Sequence, residues 1–508
     1  MELSPKILDL PQLVERIAEL KRQGRRIVHC HGCFDLLHVG HMRHFKQAKS
    51  HGDILVVTVT PDRFVDKGPG RPAFREELRL EAIAALDCVD FVALNGWTTA
   101  EPTIRLLKPD FYAKGGEYRG AAENGNTYIK AEQATLAELG GKMIFTEDIV
   151  YSSTQLINTY MPVIPRDLQN WLAGFRSVFN AEYAVKAIDS FWDLKVLVLG
   201  EAIIDEYHYV RTMGKSMKEP ILAARFERSE KHAGGSLAVA NHLASFCQQV
   251  EVVTFLGDRA SQEPFIRESL KGNVTPTFFQ KKDSPTIVKR RFVETELTQK
   301  LFEVYEINDA MISGRREDQF CQWLEENLSR FDLVVVADYG HGMMTQRAID
   351  VVCDKAPFLV CNAQGNAGNQ GHNPISRYRR CDAISVAQHE MVCEFRNRHL
   401  APEEMITEIC KRMECGVAVL TRGKYGTQMH KPGAGSVTIP AFATKVIDRV
   451  GAGDAVLCLV ALALKKKLPL ELVGFLGNCA GAEAVQIVGN ARSIEKVPFC
   501  KNVEALLK

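Results

Sequence analysis

Apolar and polar positions divide the chain into two α/β stretches. Leu10 to Gln23 is polar and amphipathic, the pattern of a surface helix. Arg26-Ile27-Val28-His29-Cys30 is an apolar-rich run of strand length. A glycine-containing loop follows, then a helical stretch from about Gly40 to Ser50 and a second strand run, Ile54 to Val59. Strand, loop, helix and strand within roughly 35 residues predict a βαβ unit. Further strand-like runs, Asp90 to Leu94, Phe111 to Ala113 and Lys142 to Phe145, extend it into a parallel sheet that ends near Met161. Pro162 and Pro165 break the pattern. The helical spacing of Leu168, Trp171, Leu172, Phe175, Val178 and Phe179 then suggests a connector. A second alternation starts with the buried-strand run Lys195 to Gly200. It continues through Val252–Phe255, Leu333–Ala337, Phe358–Cys361 and Val417–Leu420. The expected organisation is an α/β domain over 1–161, a helical linker over 162–192 and a larger α/β domain over 193–508, both doubly wound.

Composition narrows the function classes. With 63 basic and 62 acidic residues the chain has a net charge of +1, so no global field draws it to nucleic acid or an anionic membrane. The longest apolar run, Ala455 to Leu464, is about half of what spans a bilayer and reads as a buried helix. Met1-Glu2-Leu3-Ser4-Pro5 has neither the basic nor the apolar part of a secretory signal. The 14 cysteines show no framework spacing, as expected of reduced thiols in a cytoplasmic protein.

The strongest local signal is Gly32-Cys33-Phe34-Asp35-Leu36-Leu37-His38-Val39-Gly40-His41, between a strand and a helix. In an open α/β sheet the ligand crevice lies at the carboxyl ends of the strands. Amides at the helix start favour an anion there. Two histidines flanking a glycine add hydrogen-bond donors for a phosphoryl group whose charge grows in the transition state. Gly40 allows close backbone approach. Cys30 and Cys33 also form a C-x-x-C pair, but no second ligand pair accompanies them and Cys33 lies upstream of the helix, which disfavours zinc or redox chemistry.

This segment resembles the opening motif of the cytidylyltransferase-like nucleotidyltransferase superfamily. Gly70-Arg71-Pro72, Arg79 and Val89-Asp90 follow in that family's order. Lys108-Pro109-Asp110 and Lys114-Gly115-Gly116-Glu117-Tyr118 are similar to its sugar-phosphate branch, and Ser152-Ser153-Thr154 to its late S-S-T motif. The resemblance implies a Rossmann-like fold and attack of a sugar-phosphate oxygen on a nucleotide α-phosphorus, with pyrophosphate leaving. His38 and His41 would stabilise the developing charge. Arg79, Lys114, Ser153 and Thr154 would hold phosphates, with Gly32, Phe34, Asp35 and Gly40 shaping the nucleotide loop. Mg²⁺ would neutralise the triphosphate.

In the C-terminal half, Asp448-Arg449-Val450-Gly451-Ala452-Gly453-Asp454 runs into the apolar helix. Such a loop offers successive amides to an anion, and its last Asp can take a proton from a hydroxyl. With Gly200 to Tyr207, Lys218-Glu219-Pro220, Gly234-Gly235, Asp338-Tyr339-Gly340 and Thr421 to Gly426, the set resembles the ribokinase-like (PfkB) carbohydrate kinases, whose fold carries a small β lid. The resemblance implies Asp454 as base and Gly451, Ala452 and Gly453 as anion hole. Asp205, Gly234 and Gly235 would lie at the sugar, ATP over Thr421 and Gly423, Asn478 near the adenine, and Glu390 would act indirectly on metal. Ala238, Asn362 and Ala387 replace residues that the family usually keeps at substrate and metal positions.

Together the two resemblances imply a bifunctional enzyme of nucleotide-sugar synthesis, similar to the heptose-phosphate kinase/nucleotidyltransferase but with the transferase first. ATP would serve the kinase, ATP or CTP the transferase, and the chain would form a homodimer. The competing reading is a cytidylyltransferase for a polyol or other phosphate, fused to a divergent or non-catalytic kinase-like module.

Overall fold

The computed structural model describes residues 4–65, 72–116, 127–146, 165–296 and 299–507. These divide into two compact units that meet between Pro165 and Arg166.

The first unit is built on five strands: β1 (Ile27–Gly32), β2 (Ile54–Val59), β3 (Phe91–Leu94), β4 (Phe111–Gly115) and β5 (Lys142–Thr146). They pair in the order β3-β2-β1-β4-β5, all parallel. Buried Val28, Cys30, Leu55 and Val57 pack against Phe45 and Ala48 of the helix Val39–Lys49 on one face. Ile27 and Val56 meet Leu13, Ile17 and Leu20 of the capped helix Leu10–Arg22 on the other. The chain runs from β1 outwards through β3 and then returns to β4 on the opposite side of β1. That reversal opens a crevice at the carboxyl ends of β1 and β4.

The second unit holds a nine-stranded sheet and a four-stranded one. Its strands are β6 (Lys195–Gly200), β7 (Ala202–Lys215), β8 (Leu222–Gly235), β9 (Gln249–Arg259), β10 (Val274–Pro285), β11 (Ile287–Glu294), β12 (Gln299–Glu306), β13 (Leu333–Asp338), β14 (Leu359–Ala363), β15 (Arg380–Ala387), β16 (Glu414–Thr421), β17 (Thr427–Lys431) and β18 (Gly435–Ile439). The large sheet runs β10-β9-β6-β13-β14-β15-β16-β17-β18, parallel through β16 and then antiparallel. The small sheet, β12-β11-β7-β8, is a lid. Only Glu201 separates the end of β6 from the start of β7, so the chain passes straight from the main sheet into the lid.

The helix Ala452–Lys465 is buried continuously from Ala455 to Leu464, which explains its apolar run without a membrane. Among the described residues, no helix is long and apolar enough to cross a bilayer. The stretch suggested as a connector is helical at Arg166–Arg176 and Ala181–Asp189. These helices pack onto the second unit: Trp171 and Phe175 stack on Phe475, and Arg176 donates to the Leu506 carbonyl. Their apolar spacing reflects burial in that unit's core.

Candidate active sites

In the first unit the loop leaving β1 is held by its own residues. Phe34 adopts φ 48°, a left-handed conformation that costs roughly 1–2 kcal/mol in a non-glycine residue. Its ring lies over Gly32, where a Cβ would approach the ring tip to 2.9 Å, so a side chain at position 32 would have to push Phe34 aside. Asp35 accepts from the amides of Ala73 (2.7 Å) and Phe74 (3.1 Å), fastening the loop to the following segment.

His38 caps the helix, its Nδ1 accepting from the Gly40 amide at 3.1 Å. That bond places the ring proton on Nε2, which is buried and has no partner. Burial also lowers the His38 pKa, which favours this neutral donor. The His41 ring lies 4.0 Å from that of His38 and edge-on to Phe34. The two histidines are thus brought together at the helix start beside the β1/β4 crevice.

Arg79 and Lys114, both expected on phosphates, have partners within the protein. Arg79 is 2% exposed, and its guanidinium donates to the carbonyls of Cys33, Thr60 (2.8 Å) and Phe74 (3.0 Å) and pairs with Asp62 at 2.7 Å. It clamps the loop after β1 from inside because backbone oxygens surround it on three sides. Lys114 pairs with buried Glu132 at 2.9 Å. Cys30 lies in the strand core, where burial raises its thiol pKa, the opposite of a reactive thiolate. Ser153 and Thr154 lie outside the described residues.

The Arg79 clamp makes a prediction. Arg79→Met removes donors from buried carbonyls and destabilises the first unit by about 2–4 kcal/mol. Denaturant unfolding should show that unit's transition at lower midpoint. A raised nucleotide KM with unchanged midpoint would instead place Arg79 on the phosphate.

The second unit's cleft lies between the lid and the carboxyl ends of the main strands. Gly451 takes φ 80°, and a Cβ there would come within 2.3 Å of the Asn490 Oδ1. The turn leaves the amides of Gly453 and Asp454 without a backbone acceptor among the described residues, the ordinary state of a helix's first turn. A Cβ on Gly453 would meet nothing within 4 Å, so the helix start is not packed over at that side. The Asp454 carboxyl accepts from the Tyr339 hydroxyl at 2.9 Å. Burial pushes its pKa up to about 7, opposed by the Tyr339 hydrogen bond and aided by the Asp205 charge.

From the lid, Asp205 pairs with Arg291 and accepts from Asn490 Nδ2 at 2.9 Å. Gly234 leaves room for it: a Cβ there would lie 2.1 Å from Asp205 Oδ2. Gly235 turns the chain into the next helix with φ 60°. Asp448 joins lid to helix start, accepting from Tyr207 Oη (2.9 Å), Lys300 Nζ (2.6 Å) and the Gly489 amide (3.0 Å).

Thr421 ends β16, and Gly423 turns with φ 54° into open space. Asn478, expected near an adenine, is consumed by structure: it accepts from Thr427 Oγ1 and donates to the carbonyls of Ile439 (3.1 Å) and Pro440 (2.7 Å). All its donors close the β17–β18 edge. Glu390 accepts from the amides of Ala387 (2.7 Å) and Gly365 (3.0 Å), and burial raises its pKa to about 7. Asn362 donates to the Ser385 carbonyl at 2.7 Å. Among the described residues no group of three or more His, Cys, Asp or Glu side chains could hold a metal.

Sequence reasoning passed over Glu201, Lys289, Arg291 and Asn490. Glu201 accepts from the amides of Tyr339 (3.0 Å) and His341 (2.9 Å) and is pushed to about 7 by burial and Asp338. Lys289 and Arg291 stand on the lid strand β11, opposite Asp205 and Tyr207 of β7. Their i, i+2 spacing was the available signal, because alternate strand residues share a face.

The second unit is thus a ribokinase-like α/β sheet with a β lid and a G-A-G-D turn at a helix start, and the first a Rossmann-like sheet with a histidine-bearing loop between strand and helix. Residues 193–497 match the family described as pfkB family carbohydrate kinase, and residues 29–158 the family described as Cytidylyltransferase-like. The chain belongs to the pfkB family of carbohydrate kinases, with a cytidylyltransferase-like domain placed before the kinase. It is 38% identical over 155 residues to the bifunctional protein HldE of Desulfatibacillum aliphaticivorans, covering 30% of each chain. It is 27% identical over 307 residues to the bifunctional protein HldE of Trichlorobacter lovleyi, covering 59% of this chain and 60% of that one. These alignments therefore span about a third to three fifths of the relatives' own length. Escherichia coli phosphofructokinase-2, solved with substrates and products, aligns with a TM-score of 0.50 and 14% identity, covering 62% of this chain and all of that one; this likeness shows the fold.

Proposed function

We propose that the chain is a bifunctional enzyme of nucleotide-sugar synthesis. The kinase unit transfers the γ-phosphoryl group of ATP to the anomeric hydroxyl of a sugar phosphate of the heptose 7-phosphate type, releasing ADP. The transferase unit joins the resulting sugar 1-phosphate to the α-phosphorus of ATP or CTP, releasing pyrophosphate. The observation that carries the reading is the placement of Asp454 at a helix start whose Gly453 and Asp454 amides have no backbone acceptor among the described residues, where its carboxyl feels the charge of the lid residue Asp205.

In the kinase, Asp454 takes the proton of the attacking hydroxyl while the Gly453 and Asp454 amides receive the transferring phosphate. Asp205 and Asn490 orient sugar hydroxyls. In the transferase, the Nε2–H of His38, with His41 beside it, donates to the α-phosphoryl oxygens as charge builds. Mg²⁺ supplies charge neutralisation when bound. Among the described residues no carboxylate cage is present for it, so phosphate oxygens and water would make up most of its ligands, with Glu390 acting indirectly.

The test incubates the full chain with heptose 7-phosphate and either ATP or CTP and reads products by mass. A sugar bisphosphate followed by a nucleotide sugar and pyrophosphate is the expected result. Pyrophosphate release with CTP and a polyol phosphate, without sugar phosphorylation, would support the cytidylyltransferase reading instead.

A further inference from the structure

The loop after β14, Gln364 to Asn373, is rich in Asn and Gly and has no part in the mechanism above. Its side chains stitch it to the end of β13. Asn366 Nδ2 (2.7 Å) and Asn369 Nδ2 (3.0 Å) both donate to the Tyr339 carbonyl. Asn373 Nδ2 (3.0 Å) and the Gln364 amide (2.8 Å) donate to the Asp338 carbonyl. The side-chain oxygens of the same asparagines fold the loop on itself. Asn366 Oδ1 accepts from the Gly368 and Asn369 amides, and Asn369 Oδ1 from the Asn366 and Gly371 amides.

These bonds converge on Tyr339. It is buried, and its backbone is gripped from both sides: the amide donates to Glu201 Oε2 at 3.0 Å, and the carbonyl accepts from the two asparagines. Gly340, at φ 69°, lets the loop come this close; a Cβ there would lie 2.6 Å from Asn369 Nδ2. The side chain so fixed reaches across to the helix Ala452–Lys465, where its hydroxyl donates to Asp454 Oδ1 at 2.9 Å. Burial holds the Tyr339 pKa well above its ordinary value, so the phenol keeps its proton and is the donor. Asp454 itself is partly exposed, and its Oδ2 has no hydrogen-bond partner among the described residues. One carboxyl oxygen is thus committed to the fold and the other is not.

We propose that Tyr339 is a positioning residue of the phosphoryl transfer: its hydroxyl anchors Oδ1 of the Asp454 carboxylate so that Oδ2 can take the sugar proton, and the asparagine loop sets Tyr339 in place. The inference rests on the kinase reading above. A carboxylate free to rotate must be oriented anew at each turnover, and the Tyr339 bond removes that freedom beforehand. The same bond favours the ionised carboxylate, the only form that can act as base. Other groups around Asp454 act in both directions. Asp205 of β7 and Glu390 of the helix Gln388–Phe395 oppose its ionisation, and Lys289 of β11 favours it. Cys458, one turn along the same helix, is kept protonated by burial and carries no charge. Among the described residues Tyr339 is the one side chain hydrogen-bonded to the carboxylate.

The test follows phosphorylation of heptose 7-phosphate by the full chain, with ATP, across pH. Tyr339→Phe keeps the ring and removes the hydroxyl. Its kcat/KM should reach half of its plateau about one pH unit higher than in the unaltered chain, because the carboxylate has lost a donor. On the plateau kcat should fall about threefold to tenfold, with the sugar and ATP KM each within about twofold of normal. Ionisation of the substrate phosphate is common to all variants, so the shift between them belongs to the enzyme. Asn366→Ala combined with Asn369→Ala should move the profile the same way by a smaller amount. Added to Tyr339→Phe, the pair should move it no further, because both act through that hydroxyl. A near-normal ATP KM shows that a variant is folded, and the asparagine pair carries the test if Tyr339→Phe does not fold. A lower kcat with an unmoved profile, or shifts that add in the triple variant, overturns the proposal while leaving the kinase reading intact. If the unaltered chain phosphorylates no sugar phosphate, or Asp454→Asn keeps full activity, the kinase reading itself fails and this inference with it.

Discussion

In the Asp454→Asn variant, sugar phosphorylation is expected to fall about a thousandfold, within the range that loss of a general base produces. The amide is nearly isosteric, keeps an oxygen for the Tyr339 hydroxyl, and removes a carboxylate that burial disfavours. Stability should therefore hold or rise slightly. Formation of nucleotide sugar from a supplied sugar 1-phosphate should stay within about twofold of normal, since it belongs to the other unit. The pH profile of the unaltered enzyme is the companion measurement. Asp454 must be ionised to accept a proton, and its pKa is pushed up to about 7. The kinase kcat/KM should then climb with pH, about tenfold per unit below 7, and level off above it. That rise should vanish in Asp454→Asn. ATP turnover unaffected by the substitution would remove Asp454 from the chemistry and favour a non-catalytic kinase-like module.

The His38→Ala variant should lose about a hundredfold to a thousandfold in pyrophosphate release, the cost of one donor aimed at developing phosphoryl charge. Its kinase activity should be unchanged. The loss has two sources in the structure. The buried, unpartnered Nε2–H disappears, and so does the Nδ1 acceptor that caps the helix at Gly40. His38→Asn separates them. Asparagine is a good N-cap, so it restores the helix start without an imidazole donor at the same reach. Full recovery in His38→Asn would mean that His38 serves only as a cap.

Much of the fold was legible because buried parallel strands are apolar throughout and their helices are periodic. The runs at Ile54–Val59, Lys195–Gly200 and Leu333–Ala337 coincide with β2, β6 and the body of β13. The lid was legible only through the family resemblance. Its strands β8 and β12 are largely exposed and polar, as in Leu222–Gly235, so neither the apolar-run rule nor simple alternation marks them. The helices at Arg166–Arg176 and Ala181–Asp189 carry an amphipathic pattern that shows one buried face but not what covers it.

The candidate sites divide in the same way. Phosphate cradles depend on local backbone, and a glycine-rich turn entering a helix is written in consecutive residues. For that reason the turns at 32–41 and 448–454, which the structure places at helix starts, could be picked out as candidates from the chain alone. Long polar side chains find partners far away in sequence, and only packing decides which. Arg79 and Asn478 look like ligands in a motif, yet folding surrounds each with backbone carbonyls and uses up its donors. His341 shows the reverse: nothing in its local sequence marks it, and only packing leaves its Nε2 buried without a partner. The sequence by itself determined two α/β units and the two strand-to-helix turns at which phosphate binding is proposed. Tertiary structure decided which polar groups hold the fold and which remain free for a substrate, because hydrogen-bond capacity is allotted only when distant segments meet.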